Sequence, residues 1–199
     1  MKFMDTERQL VQKCKNGDIR SFELLIESYQ KKIFNIAFRM LGNQEDALDV
    51  TQEVFIKIYK SISSFKEESS LSTWIYRIAT NVCLDELRKR KKTKMVSMDS
   101  PIQLNGGEIN VQMQDQGLHP DELVEQKELK TQIKKAINCL KDEHKIVIIL
   151  RDINGYSYEE ISKIMECSLG TVKSRINRAR NSLKSILLKK KELYSHYDV

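Results

Sequence analysis

The sequence predicts an all-α protein: two small helical domains, a helical bundle and a helix-turn-helix domain, joined by a flexible acidic linker. Three observations carry that reading. Apolar residues recur at the 3.6-residue period of a helix, and no segment alternates at the period of two that marks a strand. The 199 residues include only 7 Gly and 2 Pro, and Pro101, Pro120, Gly106, Gly107 and Gly117 all fall between positions 100 and 120. In the same region six carboxylates (Asp99, Glu108, Asp115, Asp121, Glu122 and Glu125) stand with no Lys or Arg among them. Such a stretch buries little apolar surface and reads as a linker over residues 93–122, leaving domains at 1–92 and 123–199.

In the first domain, Phe22, Leu25, Ile26, Tyr29 and Ile33, followed by Ile36, Ala37 and Met40, trace one face of a helix that Gly42-Asn43 stops. A second helix runs from about Gln44 to Ser61 on the stripe Ala47, Val50, Val54 and Ile58. After the polar stretch 63–70, Ser72 is a plausible N-cap for a third helix with Leu71, Ile75, Ile78, Ala79 and Val82 inward. The second domain opens with helices over about 122–140 and 143–153, and Asn154-Gly155-Tyr156 turns the chain. Ser157-Tyr158-Glu159-Glu160 is a capping-box pattern that starts a short helix with Ile161 and Ile164 inward. The turn Glu166–Leu169 then leads into a final helix from Gly170 to about Lys190. Short helix, tight turn and longer basic helix form the helix-turn-helix pattern.

The formal charge is +6 at pH 7. Setting aside the six carboxylates of the linker region leaves +12 on the rest of the chain. Clustered positive charge favours a polyanionic partner, although a net charge of this size also serves solubility. The scarcity of Gly and Pro excludes collagen-like and low-complexity chains. No apolar run approaches the ~18 residues of a membrane span, and no signal-peptide stretch opens the chain, so no membrane insertion and a cytoplasmic location are expected. Cys14, Cys83, Cys139 and Cys167 are widely spaced and, with His119, His144 and His196, offer no zinc spacing. They read as reduced and structural, and no metal or cofactor is expected.

Three helical faces carry chemistry. On the last helix Leu169, Val172, Ile176, Ala179, Leu183 and Leu187 fall on one side; Lys173, Ser174, Asn177, Arg178 and Asn181 gather opposite, in reach of base edges and phosphates. Arg175 and Arg180 lie on the flanks, suited to phosphate contact. A solvated amphipathic face would look the same; the capped helix and turn before it favour DNA. On the third helix Trp74, Arg77, Asn81 and Arg88 share an arc away from the apolar stripe. An exposed Trp beside Arg and Asn suits unstacked bases, whereas a lone Trp is more often partly core. Arg88-Lys89-Arg90-Lys91-Lys92 continues that helix as a basic arm, fit for a polyanion or for solubility. On the second helix Asp46, Asp49, Gln52 and Glu53 crowd near the N-terminus. The helix dipole favours them there, and they could equally meet a protein with basic groups.

Four blocks, in order, resemble the extracytoplasmic-function (ECF) sigma factors, the small promoter-recognition subunits of bacterial RNA polymerase. They are Gln44–Phe55, Ser69–Asn81, Gly155–Ile161 and Gly170–Arg180. The resemblance implies that Asp46, Asp49, Gln52, Glu53 and Phe55 dock on the polymerase clamp helices. It implies that the 63–70 loop, with Trp74, Arg77, Asn81, Arg88, Lys89 and Arg90, opens and holds the −10 element. Thr171, Lys173, Ser174, Arg175, Asn177, Arg178 and Asn181 would read the −35 element as duplex, and the linker would thread the RNA-exit path as a nucleic-acid mimic. The implied protein is not an enzyme and uses no cofactor. It directs a stress-type regulon, is monomeric when free, and is held inactive by an anti-sigma factor that is often membrane-bound. The family usually has Gly where this chain has Glu166, so a left-handed turn there would cost about 1 kcal/mol. Asn177 replaces a His or larger side chain, which bears on the −35 sequence read.

Two other classes compete. A stand-alone helix-turn-helix regulator would share the last helix but would normally need a dimer or a sensing domain. A nucleic-acid enzyme would need convergent His, Asp or Glu residues or metal ligands, and none is visible.

Overall fold

A computed structural model describes residues 2–96 and 120–195. Among these the chain forms eight α-helices and no strand, folded into two compact units. The central part of the predicted linker, 97–119, lies outside the described residues. Its expected ends do not hold: residues 93–96 and 120–122 are helical.

The first unit contains α1 (Lys2–Lys15), α2 (Ile19–Leu41), α3 (Gln44–Ser61) and α4 (Leu71–Val96). The sequence reading passed over α1. Gly17, at φ 84°, turns the chain out of it. Asp18 then caps α2, accepting from the Arg20 N–H at 3.2 Å and the Ser21 hydroxyl at 2.6 Å. The latter bond holds the Asp18 carboxyl below the usual range. Gly42 ends α2 at φ 77°, and Asn43 caps α3 through the Glu45 N–H at 2.9 Å. The apolar stripes meet as expected: Ile33, Ile36 and Met40 of α2, Ala47, Val54 and Ile58 of α3, and Ile75, Ala79 and Cys83 of α4 are all sealed from solvent. Each large aliphatic contributes about 1.5–3 kcal/mol by leaving water. Two stripe residues, Phe22 and Ile78, are only half-buried; Phe22 sits edge-on to Tyr59 with ring centroids 5.0 Å apart. Ser70, not Ser72, caps α4, accepting from the Thr73 N–H at 3.2 Å. The helix starts one residue before Ser72, which leaves Ser72 inside the first turn.

The second unit is built on α5 (Pro120–Asn138), α6 (Asp142–Ile148) and α8 (Leu169–Ser195); α7 (Tyr158–Ile164) lies between the last two in the chain, and its end with the turn after it, Ser162–Cys167, groups with the first unit. After α6 the backbone widens into one π-turn, Ile149–Ile153, where the Asn154 N–H reaches the Ile149 carbonyl at 3.0 Å. The core is Ile146, Val147, Ile149, Leu150, Val172, Ile176 and Ala179. Lys145 is buried beside it, and burial pushes its ammonium down to about 8. The capping box is reciprocal: the Glu160 N–H donates to the Ser157 hydroxyl at 3.1 Å, and the Ser157 N–H to the Glu160 carboxylate at 2.7 Å. Glu166 adopts the left-handed conformation at φ 47°. The turn is held by the Ser162 hydroxyl donating to the Cys167 carbonyl at 2.5 Å and by the Cys167 N–H on the Ser162 carbonyl at 3.1 Å. Leu169, expected inward, is 40% exposed. Ser168 caps α8 in front of it through the Thr171 N–H at 3.1 Å, so Leu169 opens the helix outside its packed face.

All four cysteines are free. Cys14 and Cys83 are structural in the expected sense, buried in the first unit, while Cys139 is exposed. Among the described residues no group of three or more His, Cys, Asp or Glu is placed to hold a metal. No described helix is long and apolar enough to cross a membrane.

Candidate nucleic-acid interface

The buried stripe of α8 fixes which residues face outward. Val172, Ile176 and Ala179 are sealed inside, and the helical period therefore sends Lys173, Ser174, Asn177, Arg178 and Asn181 to solvent. Along this face the Asn181 amide donates to the Asn177 side-chain oxygen at 3.2 Å, and the Ser174 hydroxyl donates to the Thr171 carbonyl at 2.9 Å. Thr171 is half-buried and shares its hydroxyl with Ser168 at 2.9 Å. Lys173 and Arg178 project as charges from this otherwise neutral polar row. The flanking arginines differ from them. Arg175 lies 3.4 Å from Glu143, and Arg180 grips both carboxylate oxygens of Asp152. Both ties orient α8 on its own domain.

On α4 the expected aromatic platform is not exposed. Trp74 is 8% accessible, because the short turn Ile62–Ser64 folds Phe65 onto it with ring centroids 5.1 Å apart. An indole is the largest apolar group available, and its burial outweighs the helical projection that aimed it outward. Farther along α4, Arg77 is half-buried and Asn81 and Arg88 are exposed. The basic arm is partly neutralised from within. Arg88 pairs with Asp85 at 2.9 Å, and Lys89 stands 4.0 Å from Glu86. Arg90 bridges Glu86 at 2.9 Å and Asp46 at 2.7 Å.

The acidic row of α3 is likewise divided. Asp46 is engaged by Arg90, and Glu53 pairs with Lys57 at 2.9 Å. Asp49 and Gln52 face solvent, and Phe55 is half-buried. Beside them Leu48, Ile56 and Tyr59 expose 47%, 53% and 46% of their surface. The sequence reading missed these three. Their signal was present, since they are apolar residues of α3 off the Ala47/Val50/Val54/Ile58 stripe, and even Tyr59, which meets the Phe22 ring edge-on, leaves 46% of its surface open.

The outward surfaces of the described residues are thus an acidic and apolar helix, a basic helix behind a short loop, and a helix-turn-helix with an open polar face. The description "Sigma-70 region 2" matches residues 25–93, and "Sigma-70, region 4" matches residues 130–183. The chain is 36% identical to the ECF RNA polymerase sigma factor SigW of Bacillus subtilis over 181 residues, 90% of this chain and 96% of that protein. It is 35% identical to the ECF RNA polymerase sigma-E factor of Escherichia coli over 178 residues, 89% of this chain and 92% of that one. Among solved structures, the sigma factor RpoE of Bartonella quintana, in complex with the anti-sigma factor NepR, superposes with a TM-score of 0.64 at 26% identity, covering 84% of this chain and 97% of its own. CnrH shares the fold at a TM-score of 0.63 and 20% identity, over 92% and 97% of the two chains. The chain belongs to the ECF sigma factor family.

Proposed function

We propose that this chain is a dissociable initiation subunit that binds core RNA polymerase, reads the −35 element as duplex and melts and captures the −10 element, directing a stress-type regulon. The observation that carries the reading is that one chain matches both regions 2 and 4 and presents, on α8, an open face of Lys173, Ser174, Asn177, Arg178 and Asn181. The first turns of such a helix enter the major groove, where amide and basic side chains discriminate bases. Thr171 and Arg175 serve at its edge, the first through the helix cap and the second near the backbone phosphates. Asp49 and Gln52, with Phe55 and the exposed Leu48, Ile56 and Tyr59, form the polymerase-docking surface; Asp46 and Glu53 contribute from its margin. Arg77, Asn81, Arg88 and Lys89, with the 63–70 loop, receive the unpaired −10 strand. Trp74 and Arg90 support that surface from within, Trp74 beneath the loop and Arg90 through Asp46.

The chain works in the cytoplasm as a monomer, carries no active site of its own and is restrained by an anti-sigma factor, often membrane-bound. The similarity to RpoE, solved with NepR, supports the last point. Run-off transcription on genomic fragments, with core polymerase and with or without this protein, tests the whole. New start sites that depend on the protein are expected. Failure to direct any start site would overturn the initiation role and favour that of a stand-alone helix-turn-helix regulator.

A further inference from the structure

The loop between α3 and α4 contains a residue in an unfavourable conformation. Glu67 has φ 60°, in the left-handed region that L side chains rarely adopt. Two side chains of α1, one helical turn apart, hold its carboxylate. The Gln12 amide donates to Glu67 Oε1 at 3.2 Å, and Lys15 Nζ lies 3.4 Å from the same oxygen. The Lys15 ammonium also stands over the Phe65 ring, 5.7 Å from its centroid, and that ring packs on Trp74. One short helix therefore grips the loop at both residue 65 and residue 67. These contacts lie at the surface, with Gln12 exposed and the Lys15 and Glu67 side chains 21% and 39% accessible, so they can be cut without opening the core. Both α1 residues also fall outside the region 2 match, which begins at residue 25.

We propose that Gln12 and Lys15 are positioning residues: by holding the Glu67 carboxylate they keep residue 67 left-handed and fix the 63–70 loop in the shape that receives the single-stranded −10 element. The inference rests on the assignment of that loop to the −10 element. Neither residue touches DNA; both act through Glu67. Glycine visits positive φ about as readily as negative φ, so a glycine at position 67 removes the need for the clasp.

The full-length protein carrying Gln12→Leu and Lys15→Met is compared with the wild type and with the same double variant bearing Glu67→Gly. Two quantities are read: amide hydrogen exchange at residues 65–70, and affinity for a labelled single-stranded oligonucleotide spanning the non-template strand upstream of a start site mapped by run-off transcription. The double variant is expected to speed loop exchange and to weaken oligonucleotide binding about five- to tenfold, with the salt dependence of binding unchanged, because the left-handed bias is of that order. Adding Glu67→Gly should restore affinity to within about twofold. Wild-type exchange and affinity in the double variant would overturn the proposal. So would a loss that glycine does not rescue and that lowers the salt slope by about one, which makes Lys15 a phosphate contact. If the wild type does not bind the oligonucleotide while the double variant still speeds loop exchange, the clasp is real but the −10 assignment, and the positioning role with it, falls.

Discussion

At the scale of single residues, one left-handed position and one buried charge hold consequences for stability. Glu166 turns the chain before α8 at φ 47°, a conformation that glycine adopts without steric cost. Glu166→Gly is expected to stabilise the fold by up to about 1 kcal/mol, read as a higher denaturant midpoint at unchanged slope. Lys145 is the reverse case, a side chain whose charge is disfavoured by its surroundings. Burial lowers its ammonium from 10.5 to about 8. Between those values the unfolded chain binds the extra proton, so stability rises with pH across that window. At neutral pH both states are protonated and the cost of burying the charge, of order 3 kcal/mol, is fully present. Lys145→Met should therefore stabilise the protein at pH 7 by about 1–3 kcal/mol and abolish the rise between pH 8 and 10, as followed by thermal melts at each pH. The Glu166 turn was open to sequence reasoning, because the four residues between a capped short helix and a long basic helix call for a tight turn. The burial of Lys145 was not, since helical periodicity ranks a lysine as solvent-facing and only the packed structure shows it enclosed.

At the scale of elements, the amphipathic helices were legible and their interruptions were not. The stripes of α2, α3, α4 and α8 follow from a 3.6 period, and the capping box of α7 from two residues three apart. The helix α1 escaped because residues 5–9 are all polar or charged, and the buried residues that follow, Val11 and Cys14, are too few to set a period. Trp74 shows the opposite failure: helical projection put it outward, but a loop that projection cannot see folds Phe65 over it. On α3 the exposed Asp49 is expected to matter for docking and not for folding. Asp49→Arg should weaken binding to core polymerase by tenfold or more at unchanged helicity and melting temperature, as measured by fluorescence anisotropy with labelled protein. On α8 Lys173 is free of ion pairs in the described contacts and opens the outward row. Lys173→Ala should reduce affinity for −35 duplex and lower the salt slope by about one, uniformly across base substitutions. A loss confined to one base position would make Lys173 a base reader instead.

At the scale of the whole molecule, the two units place opposite demands on pH. In the first, burial pushes the Cys83 thiol up to about 12 from 9.0 and raises the Tyr29 phenol, which donates to Glu7 at 2.5 Å. Both groups keep protons in the folded state that the unfolded chain loses, so their contribution declines as pH rises above 9. Lys145 in the second unit works the other way. Trp74 is the single tryptophan and lies in the first unit, so its fluorescence should report an earlier melt at pH 10 than at pH 8, while circular dichroism records the response of both units. The organisation into two helical units was readable because glycine, proline and carboxylates concentrate in one stretch; the extent of helix at 93–96 and 120–122 was not, because composition changes gradually where a helix ends. The separation of faces on α8 also bears on how such proteins diverge. The sealed residues Val172, Ile176 and Ala179 and the outward row of Lys173, Ser174, Asn177, Arg178 and Asn181 are disjoint sets, and exposed substitutions away from caps and cores usually change stability by less than about 0.5 kcal/mol. The outward row can therefore accumulate changes at almost no cost to folding. A duplicated copy of this chain could drift toward a different set of target sequences while remaining a well-folded protein at every step.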